Sequence, residues 1–187
     1  MALTILRLLL GPVALGLAYA QASRWIFFPL LVTGTLSDIF DGILARRFGV
    51  ATQTLRRFDS ITDVVYYLFV LGALWRLCHP VLSANLWAVS VVLGTEAIAV
   101  GVCVIKFGKY PATHSWLAKT YGLCLLACLI ALLAFEAGQW AVITLAVVAA
   151  LTNGEIILMH LLASKPPVDV PSIFHFRKQL KNSPPGK

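Results

Sequence analysis

The 187-residue chain has few charged residues and few of the side chains that usually bind transition metals. Only 12% of its residues are charged and 59% are hydrophobic, which excludes an ordinary soluble domain and is typical of an integral membrane protein. The four cysteines lie within or at the ends of apolar segments, without the paired short spacing of a zinc or redox site. The histidines form no ligand spacing, and the chain has no internal repeat or low-complexity tract. Acids number only eight, so an acid inside an apolar segment requires an explanation.

Long apolar runs indicate about six membrane-spanning helices, each near the roughly 20 residues that cross a bilayer. The predicted spans are residues 3–20, 25–44, 61–77, 82–105, 116–135 and 140–163. The expected fold class is therefore an all-α polytopic membrane protein. The first span begins almost at Met1 and lacks a small-residue cleavage site after it, so we expect a retained helix rather than a signal peptide.

Positive charge is concentrated in alternate loops. The second loop, the fourth loop and the tail are rich in Lys and Arg, whereas the first and third loops hold only Arg24 and Arg76. We therefore expect both termini to face the cytoplasm, in a protein of the cytoplasmic membrane. The net charge of +7 is explained by this topology and by attraction to the lipid bilayer, without nucleic acid as a partner. Residues 1–163 are predicted to form one six-helix transmembrane domain, and residues 164–187 a basic, Pro-containing cytoplasmic tail that lies on the membrane or is disordered.

Four of the acids lie in two short stretches, "SDIFDGILARRF" (37–48) and "DSITD" (59–63). In the predicted topology Asp38 and Asp41 end the second helix, while Asp59 and Asp63 begin the third, so both pairs lie at one membrane face. Spacings of three and four place each pair on one side of its helix. Four such carboxylates repel one another unless cations compensate them. Oxygen ligands without histidine or thiolate favour Mg²⁺ or Mn²⁺, and two such ions would suit a diphosphate substrate.

The residues that follow the first aspartate pair suit a phosphate-binding face. Gly42 leaves backbone exposed, Ala45 keeps the same face shallow, and Arg46 offers a bidentate grip on phosphate. Simpler interpretations exist for single residues: Asp59 as a helix N-cap and Arg46 as a positive-inside anchor. These do not explain why the first aspartate pair lies inside an apolar segment.

The two stretches together resemble the signature of the CDP-alcohol phosphotransferase (CDP-alcohol phosphatidyltransferase) family, DxxDGxxAR, eight residues, then GxxxDxxxD. The positions that match it in identity and spacing are Asp38, Asp41, Gly42, Ala45, Arg46, Asp59 and Asp63. Seven matches in one frame are a strong signal, and the likeness is loosely nearest to phosphatidylglycerophosphate synthases. One position departs: Leu55 replaces the second signature glycine, and its branched side chain would narrow a nucleotide site.

The resemblance implies an enzyme of phospholipid biosynthesis. It implies transfer of a phosphatidyl group from a CDP-linked lipid such as CDP-diacylglycerol to a small acceptor alcohol, with glycerol 3-phosphate as the leading acceptor and with release of CMP. The four aspartates would bind two divalent metals, Mg²⁺ or Mn²⁺, and Asp63 would also be the general base. Gly42, Ala45 and Arg46 would line the CDP site.

Weaker elements of the same resemblance add residues outside the signature. "LTILRLLLGP" is similar to the start of the family's first helix and would place Thr4 and Arg7 near the nucleotide or its phosphates. Lys109 and Lys119 would bind the acceptor, although a lysine snorkelling to the interface is an alternative for Lys119. Family resemblance also implies a homodimer.

A different class of function stays open. A metal-ion transporter, or a catalytically silent family member with Leu55 at the glycine position, would also gather aspartates at one membrane face. A transport path continues polar groups across the membrane, and only Glu96 and Glu155 offer such a continuation. For both glutamates, pairing within the helix bundle is the alternative to a functional role.

Overall fold

The computed structural model describes residues 2–47, 53–108, 115–163 and 170–176, with side chains described in these ranges except at residues 2, 42, 45, 46 and 53–60. Within these ranges the regular structure is helical, and no strand occurs. The long helices are α1 (Ala2–Tyr19), α2 (Phe27–Arg47), α3 (Gln53–Ala84), α4 (Leu86–Phe107), α5 (Trp116–Leu133) and α6 (Gln139–Leu162). A short 3₁₀ helix, Arg24–Ile26, precedes α2.

The helices have the composition of membrane spans. Four stretches are long and apolar enough to cross a bilayer: Ile61–Ala84, Leu86–Phe107, Trp116–Leu133 and Gln139–Leu162. Leu3–Tyr19 is a shorter apolar helix, and large apolar side chains are exposed on all six helices. A helix suits lipid because its backbone hydrogen bonds are satisfied within the segment. The predicted all-α polytopic membrane fold is thus confirmed, while six spans and cytoplasmic termini stay predictions.

The predicted break between the third and fourth spans, at residues 78–81, is wrong. Helix α3 continues to Ala84, and only Asn85 separates it from α4. The chain kinks instead at Cys78 (φ −118°, ψ 19°), two residues before Pro80, because proline has no N–H and its ring clashes with an earlier carbonyl. Arg24 supports the kink: its Nη2 donates to the carbonyl oxygen of residue 77 at 3.0 Å and its Nη1 to Cys78 Sγ at 3.6 Å.

The described residues form two compact units. The first comprises those up to Ala84 together with Leu126–Ala141, and the second those from Asn85 to Leu125 and from Val142 onward. In the first unit α1 packs against both α2 and α3.

Small residues bring α1 and α3 together. Gly11 on α1 faces Phe69, and Gly72 on α3 faces Leu15; a Cβ atom added at either glycine would lie 3.1 Å from the facing side chain. Glycines allow such close approach of membrane helices, which is stabilised by van der Waals packing. Because residue 11 faces 69 and residue 15 faces 72, α1 and α3 run in the same direction, and both begin at the same end of the unit.

Part of the predicted tail folds onto the second unit. Four residues between the end of α6 and the tail segment 170–176 are buried in one apolar cluster: Met159, Ala163, Val170 and Phe176. The Ile173 N–H donates to Glu155 Oε1 at 3.0 Å, and the Trp116 N–H donates to the Pro171 carbonyl at 3.0 Å. Residues 170–176 of the predicted tail are thus ordered by apolar burial and these two hydrogen bonds, whereas residues 164–169 and 177–187 lie outside the described residues and the prediction of a surface-bound or disordered tail stays a prediction for them.

Candidate active site

Three helices of the first unit bring polar side chains to one end. Asp38 and Asp41 lie in the second half of α2, Asp63 lies in the first half of α3, and α1 contributes Thr4 and Arg7 from its first two turns. Residue 4 contacts 41 and residue 7 contacts 38, so α2 runs opposite to α1. Asp38 and Asp63, one from each aspartate stretch, thus share Arg7 as a partner, whereas Asp41 contacts Thr4.

Arg7 joins the two aspartate-bearing helices. Its Nη1 donates to Asp38 Oδ1 on α2 at 2.7 Å and also to Asp63 Oδ1 on α3. The Arg7 side chain is only 2% exposed, whereas those of Asp38 and Asp63 are 47% and 32% exposed. A charged residue in this position is stable only because carboxylates pair with it. One nitrogen atom thus contacts an oxygen of each aspartate.

Thr4 makes the second contact from α1. Its buried hydroxyl donates to Asp41 Oδ2. Thr4 and Arg7 are three residues apart, so they lie on one face of α1, and this face meets both helices that carry aspartates. The first-helix residues predicted near a nucleotide phosphate therefore contact the aspartates.

The layer next to the carboxylates is packed tightly through Gly34. This glycine lies one turn before Asp38 on α2 and faces Tyr66, which lies almost one turn after Asp63 on α3. A Cβ atom at Gly34 would clash with Tyr66 Oη and lie 2.7 Å from Cζ of the same ring. Tyr66 is 2% exposed, and its hydroxyl has no hydrogen-bond partner among the described residues. The contact sets how closely α2 and α3 approach beside the site.

Several predicted site residues lie outside the described side chains. The backbone of Gly42, Ala45 and Arg46 belongs to the last turns of α2, and that of Asp59 and Leu55 to the first turns of α3, but their side chains are not among those described. Their predicted roles stay predictions.

The two lysines predicted for the acceptor differ. Lys109 lies outside the described residues. Lys119 is exposed on α5 in the second unit, and its Nζ lies 5.1 Å from the centre of the Trp116 ring, a cation–π contact. Its role in acceptor binding stays a prediction.

The described aspartates have the right chemistry for a hard divalent cation. Asp38, Asp41 and Asp63 supply only carboxylate oxygens, as Mg²⁺ and Mn²⁺ prefer, and the guanidinium between Asp38 and Asp63 shows that the position accepts positive charge. Among the described side chains no three acids, histidines or cysteines are grouped closely enough for a metal site. The side chain of Asp59, the fourth predicted ligand, is not in that set. The described aspartates thus fit a divalent ion in the chemistry of their oxygen atoms, while they do not by themselves form a metal-binding group.

A second set of polar side chains forms hydrogen bonds between α4 and α6. Asn153 Nδ2 donates to Glu96 Oε2 at 3.2 Å and to Thr95 Oγ1 at 3.1 Å. Of the two interpretations for Glu96, the structure shows pairing within the bundle. Glu155 likewise accepts a hydrogen bond from the backbone of the tail, so both membrane glutamates have protein partners.

Sequence reasoning missed two features of the site. It placed Arg7 beside phosphate and did not consider the aspartates as its partners, although the spacing of Thr4 and Arg7 was a usable signal. It also passed over Gly34 and Tyr66. Their distances from Asp38 and Asp63, four and three residues, indicate only that they lie one turn from the carboxylates.

Similarity to known proteins decides the family. The family model described as CDP-alcohol phosphatidyltransferase matches residues 1–152, most of the chain. The chain belongs to the CDP-alcohol phosphatidyltransferase family. The matched range contains every residue predicted for the site. It ends before Asn153 and Glu155, so these two residues lie outside the family match.

Two curated relatives are from Mycobacterium tuberculosis, one from strain CDC 1551 / Oshkosh and one from strain ATCC 25618 / H37Rv. Each is named "Probable phosphatidylglycerophosphate synthase". Each is 32% identical to this chain over 127 residues, which cover 64% of this chain and 58% of the relative. The chain thus spans less than two thirds of the length of these CDP-alcohol phosphatidyltransferase relatives. No solved structure matches it.

Proposed function

We propose that the protein transfers a phosphatidyl group from a CDP-linked lipid, CDP-diacylglycerol, to the hydroxyl group of a small acceptor alcohol, with release of CMP. The observation that carries the proposal is the convergence of Asp38 and Asp63 on Arg7, at the place where the family signature puts its aspartates. A transferase acting on a lipid anchored in the bilayer also fits a chain with several apolar membrane helices.

The residues divide into three roles in this proposal. Asp38, Asp41, Asp59 and Asp63 would hold two divalent ions, Mg²⁺ or Mn²⁺. When bound, these ions would neutralise the diphosphate of the donor and lower the barrier to attack on phosphorus. Asp63 accepts the proton of the acceptor hydroxyl. Its partial exposure, 32%, allows a substrate to reach it, as a general base requires.

The donor site is proposed at the end of α2. Gly42, Ala45 and Arg46 bind the cytidine diphosphate, with Arg46 as a bidentate partner for phosphate oxygens. The bond that forms joins the acceptor oxygen to the phosphorus that carries the lipid, and the bond that breaks joins this phosphorus to the bridging diphosphate oxygen. CMP leaves with the electron pair of the broken bond. Leu55 would border the nucleotide, where the family signature has glycine.

Glycerol 3-phosphate is the proposed acceptor. The names of the two relatives support this choice, and Lys109 and Lys119 are the proposed partners of its phosphate. We further propose that the protein works as a homodimer in the cytoplasmic membrane, with the aspartates at the cytoplasmic face. The positive charge of the second loop and of the tail supports this orientation.

The test is CMP release by the purified protein. It is incubated with CDP-diacylglycerol, MgCl₂ or MnCl₂, and one of several acceptors: glycerol 3-phosphate, glycerol, inositol or serine. We expect CMP release that requires the metal and is fastest with glycerol 3-phosphate. Release with another acceptor alone would overturn the acceptor assignment, and no release with any of them would overturn the proposed activity.

Matched variants connect the activity to the site. Asp63→Asn should lower the rate at least about 100-fold, because a positioned general base contributes roughly 10²–10⁴-fold. Glu136→Gln is the control: this exposed carboxylate pairs with Arg24 at 3.4 Å and should keep the parent rate. Normal CMP release by a folded Asp63→Asn protein would contradict the assignment of Asp63.

A further inference from the structure

Tyr67 places a hydroxyl group beside the proposed active site that no step of the proposed function uses. It lies four residues after Asp63 on α3, so the two side chains lie on one side of that helix. Tyr67 is 39% exposed. The charged groups of Asp38 and Arg7 lie close enough to its hydroxyl to interact with it electrostatically. Tyr67 therefore borders the same group of side chains as Asp63 and is accessible to a substrate.

The ring of Tyr67 has a defined position. Its centre lies 5.3 Å from that of the Tyr66 ring, and the two rings make an edge-to-face contact with 68° between their planes. Tyr66 is itself 2% exposed and packed against Gly34. Among the described residues the Tyr67 hydroxyl forms no hydrogen bond, although a tyrosine hydroxyl in apolar surroundings usually has a partner. Its ring is thus held in place while its hydroxyl remains available to a substrate.

Tyr67 lies deeper in the apolar span than the carboxylates. Asp63 is the third residue of the span Ile61–Ala84, and four residues of helix advance the chain by about 6 Å. The Tyr67 hydroxyl is therefore about one turn farther into the span. On the adjacent side of α3, Val64 and Leu68 are 49% and 62% exposed. A carboxylate, a hydroxyl group and an apolar surface thus lie next to one another at the start of this span.

The donor of the proposed function has its own groups in a matching order. Its attacked phosphorus would lie beside Asp63, which accepts the proton of the acceptor hydroxyl, and its acyl chains extend into the bilayer. The ester groups lie between the phosphorus and the chains, and their carbonyl oxygens accept hydrogen bonds. A tyrosine hydroxyl can donate one. Tyr67 therefore has a suitable group at the depth of the esters.

We infer that the Tyr67 hydroxyl donates a hydrogen bond to an ester carbonyl of the donor lipid and makes the enzyme selective for ester-linked over ether-linked chains. This inference rests on the proposed function, because it needs a CDP-linked lipid with its phosphorus near Asp63. The ester does not react, so the contact is equally strong before and during the reaction. Such a contact lowers KM for the donor and leaves kcat unchanged.

The experiment compares two donors that differ only in the linkage of their chains. CMP release is followed with CDP-diacylglycerol and with a CDP-dialkylglycerol of equal chain length, which has no carbonyl groups in its linkages. MgCl₂ and the acceptor that supports the fastest release are kept saturating. For the parent protein we expect KM to be about fivefold lower with the ester donor. This ratio corresponds to about 1 kcal/mol and is typical of one neutral hydrogen bond.

The variant is Tyr67→Phe, which keeps the ring that packs against Tyr66. It should raise KM for the ester donor about fivefold, leave KM for the ether donor unchanged and keep kcat with both. Tyr19→Phe is the matched control. Tyr19 is also an exposed tyrosine, but it is the last residue of α1, and its ring lies 5.8 Å from the guanidinium of Arg76. This control should keep both KM values of the parent.

The ratio of the two KM values decides the outcome. A parent protein without a preference for the ester donor would overturn the inference, and this result needs no variant to fold. An unchanged ratio in Tyr67→Phe would also overturn it, since the hydroxyl would then serve only helix packing or anchoring at the membrane surface. A raised KM for the acceptor instead of the donor would overturn it as well. No CMP release by the parent with either donor would overturn the proposed function, and the inference with it.

Discussion

Replacing Gly34 by alanine tests whether the α2–α3 contact supports the site. The added Cβ would clash with Tyr66 Oη and lie 2.7 Å from Cζ, about 1 Å closer than the 3.5–4.0 Å at which carbon atoms pack. Tyr66 is 2% exposed, so its ring cannot swing into free space. We expect α2 to move away from α3, which lengthens the Asp38–Arg7–Asp63 connection one turn away.

The magnitude follows from two opposing terms. Overpacking a tight contact costs about 1–3 kcal/mol, whereas alanine in place of glycine within a helix contributes about 1 kcal/mol of stability. The net loss of stability is therefore up to about 2 kcal/mol. In a chain of this size each kcal/mol corresponds to roughly 2–4 °C. We expect an unfolding temperature up to about 8 °C lower, and slower CMP release at temperatures where the variant is folded.

The assay is thermal unfolding in detergent, followed by the loss of helical circular dichroism. Gly16→Ala is the control, because a Cβ at Gly16 meets nothing within 4 Å; this variant should be as stable as the parent or slightly more so. Tyr66→Phe removes the clashing hydroxyl but keeps Cζ, so it should restore part of the loss when combined with Gly34→Ala. Unchanged stability and activity of Gly34→Ala, or additive effects in the double variant, would refute the reasoning.

Two further predictions concern the nucleotide site and the tail. Leu55→Gly should strengthen CDP binding in the presence of Mg²⁺, because it removes the branched side chain from the signature glycine position; calorimetric titration with CDP checks this, and weaker binding would show that Leu55 is part of an adapted site. Glu155→Leu removes the acceptor of the Ile173 N–H and should speed hydrogen exchange in residues 170–176 at least tenfold, whereas Glu155→Gln, which keeps an acceptor oxygen, should change it less; equal exchange in all three proteins would contradict the docking of the tail.

Local pattern was enough to predict four of the six long helices closely. The first, second, fifth and sixth predicted spans end within three residues of α1, α2, α5 and α6, because the length of an apolar run reflects the thickness of the bilayer it crosses. The break at residues 78–81 was wrong, because Pro80 interrupts one backbone hydrogen bond without ending the helix. Arg24 satisfies a backbone carbonyl at that kink, a contact with no sequence signal.

The candidate site likewise has features that the sequence predicted and features that it did not. The spacing of Asp38 and Asp41 on α2, and of Asp59 and Asp63 on α3, is local information. The sequence by itself thus determined which acids to examine, the family they belong to and the kind of cation they suit. The sequence did not indicate that Arg7 contacts Asp38 and Asp63, because Arg7 lies 31 residues from Asp38 and 56 from Asp63 in the chain.

Tertiary structure alone decided the contacts of Arg7 with Asp38 and Asp63, the closeness of Gly34 and Tyr66, and the docking of residues 170–176 against α6. Each depends on which helices are neighbours and on the register between them. Helix periodicity shows which residues share a face, but in lipid most faces are apolar, and the apolar pattern therefore does not select the partner of a given face. The selection comes from small residues that allow close approach and from buried polar groups that need one another, as Gly11 and Arg7 do on α1.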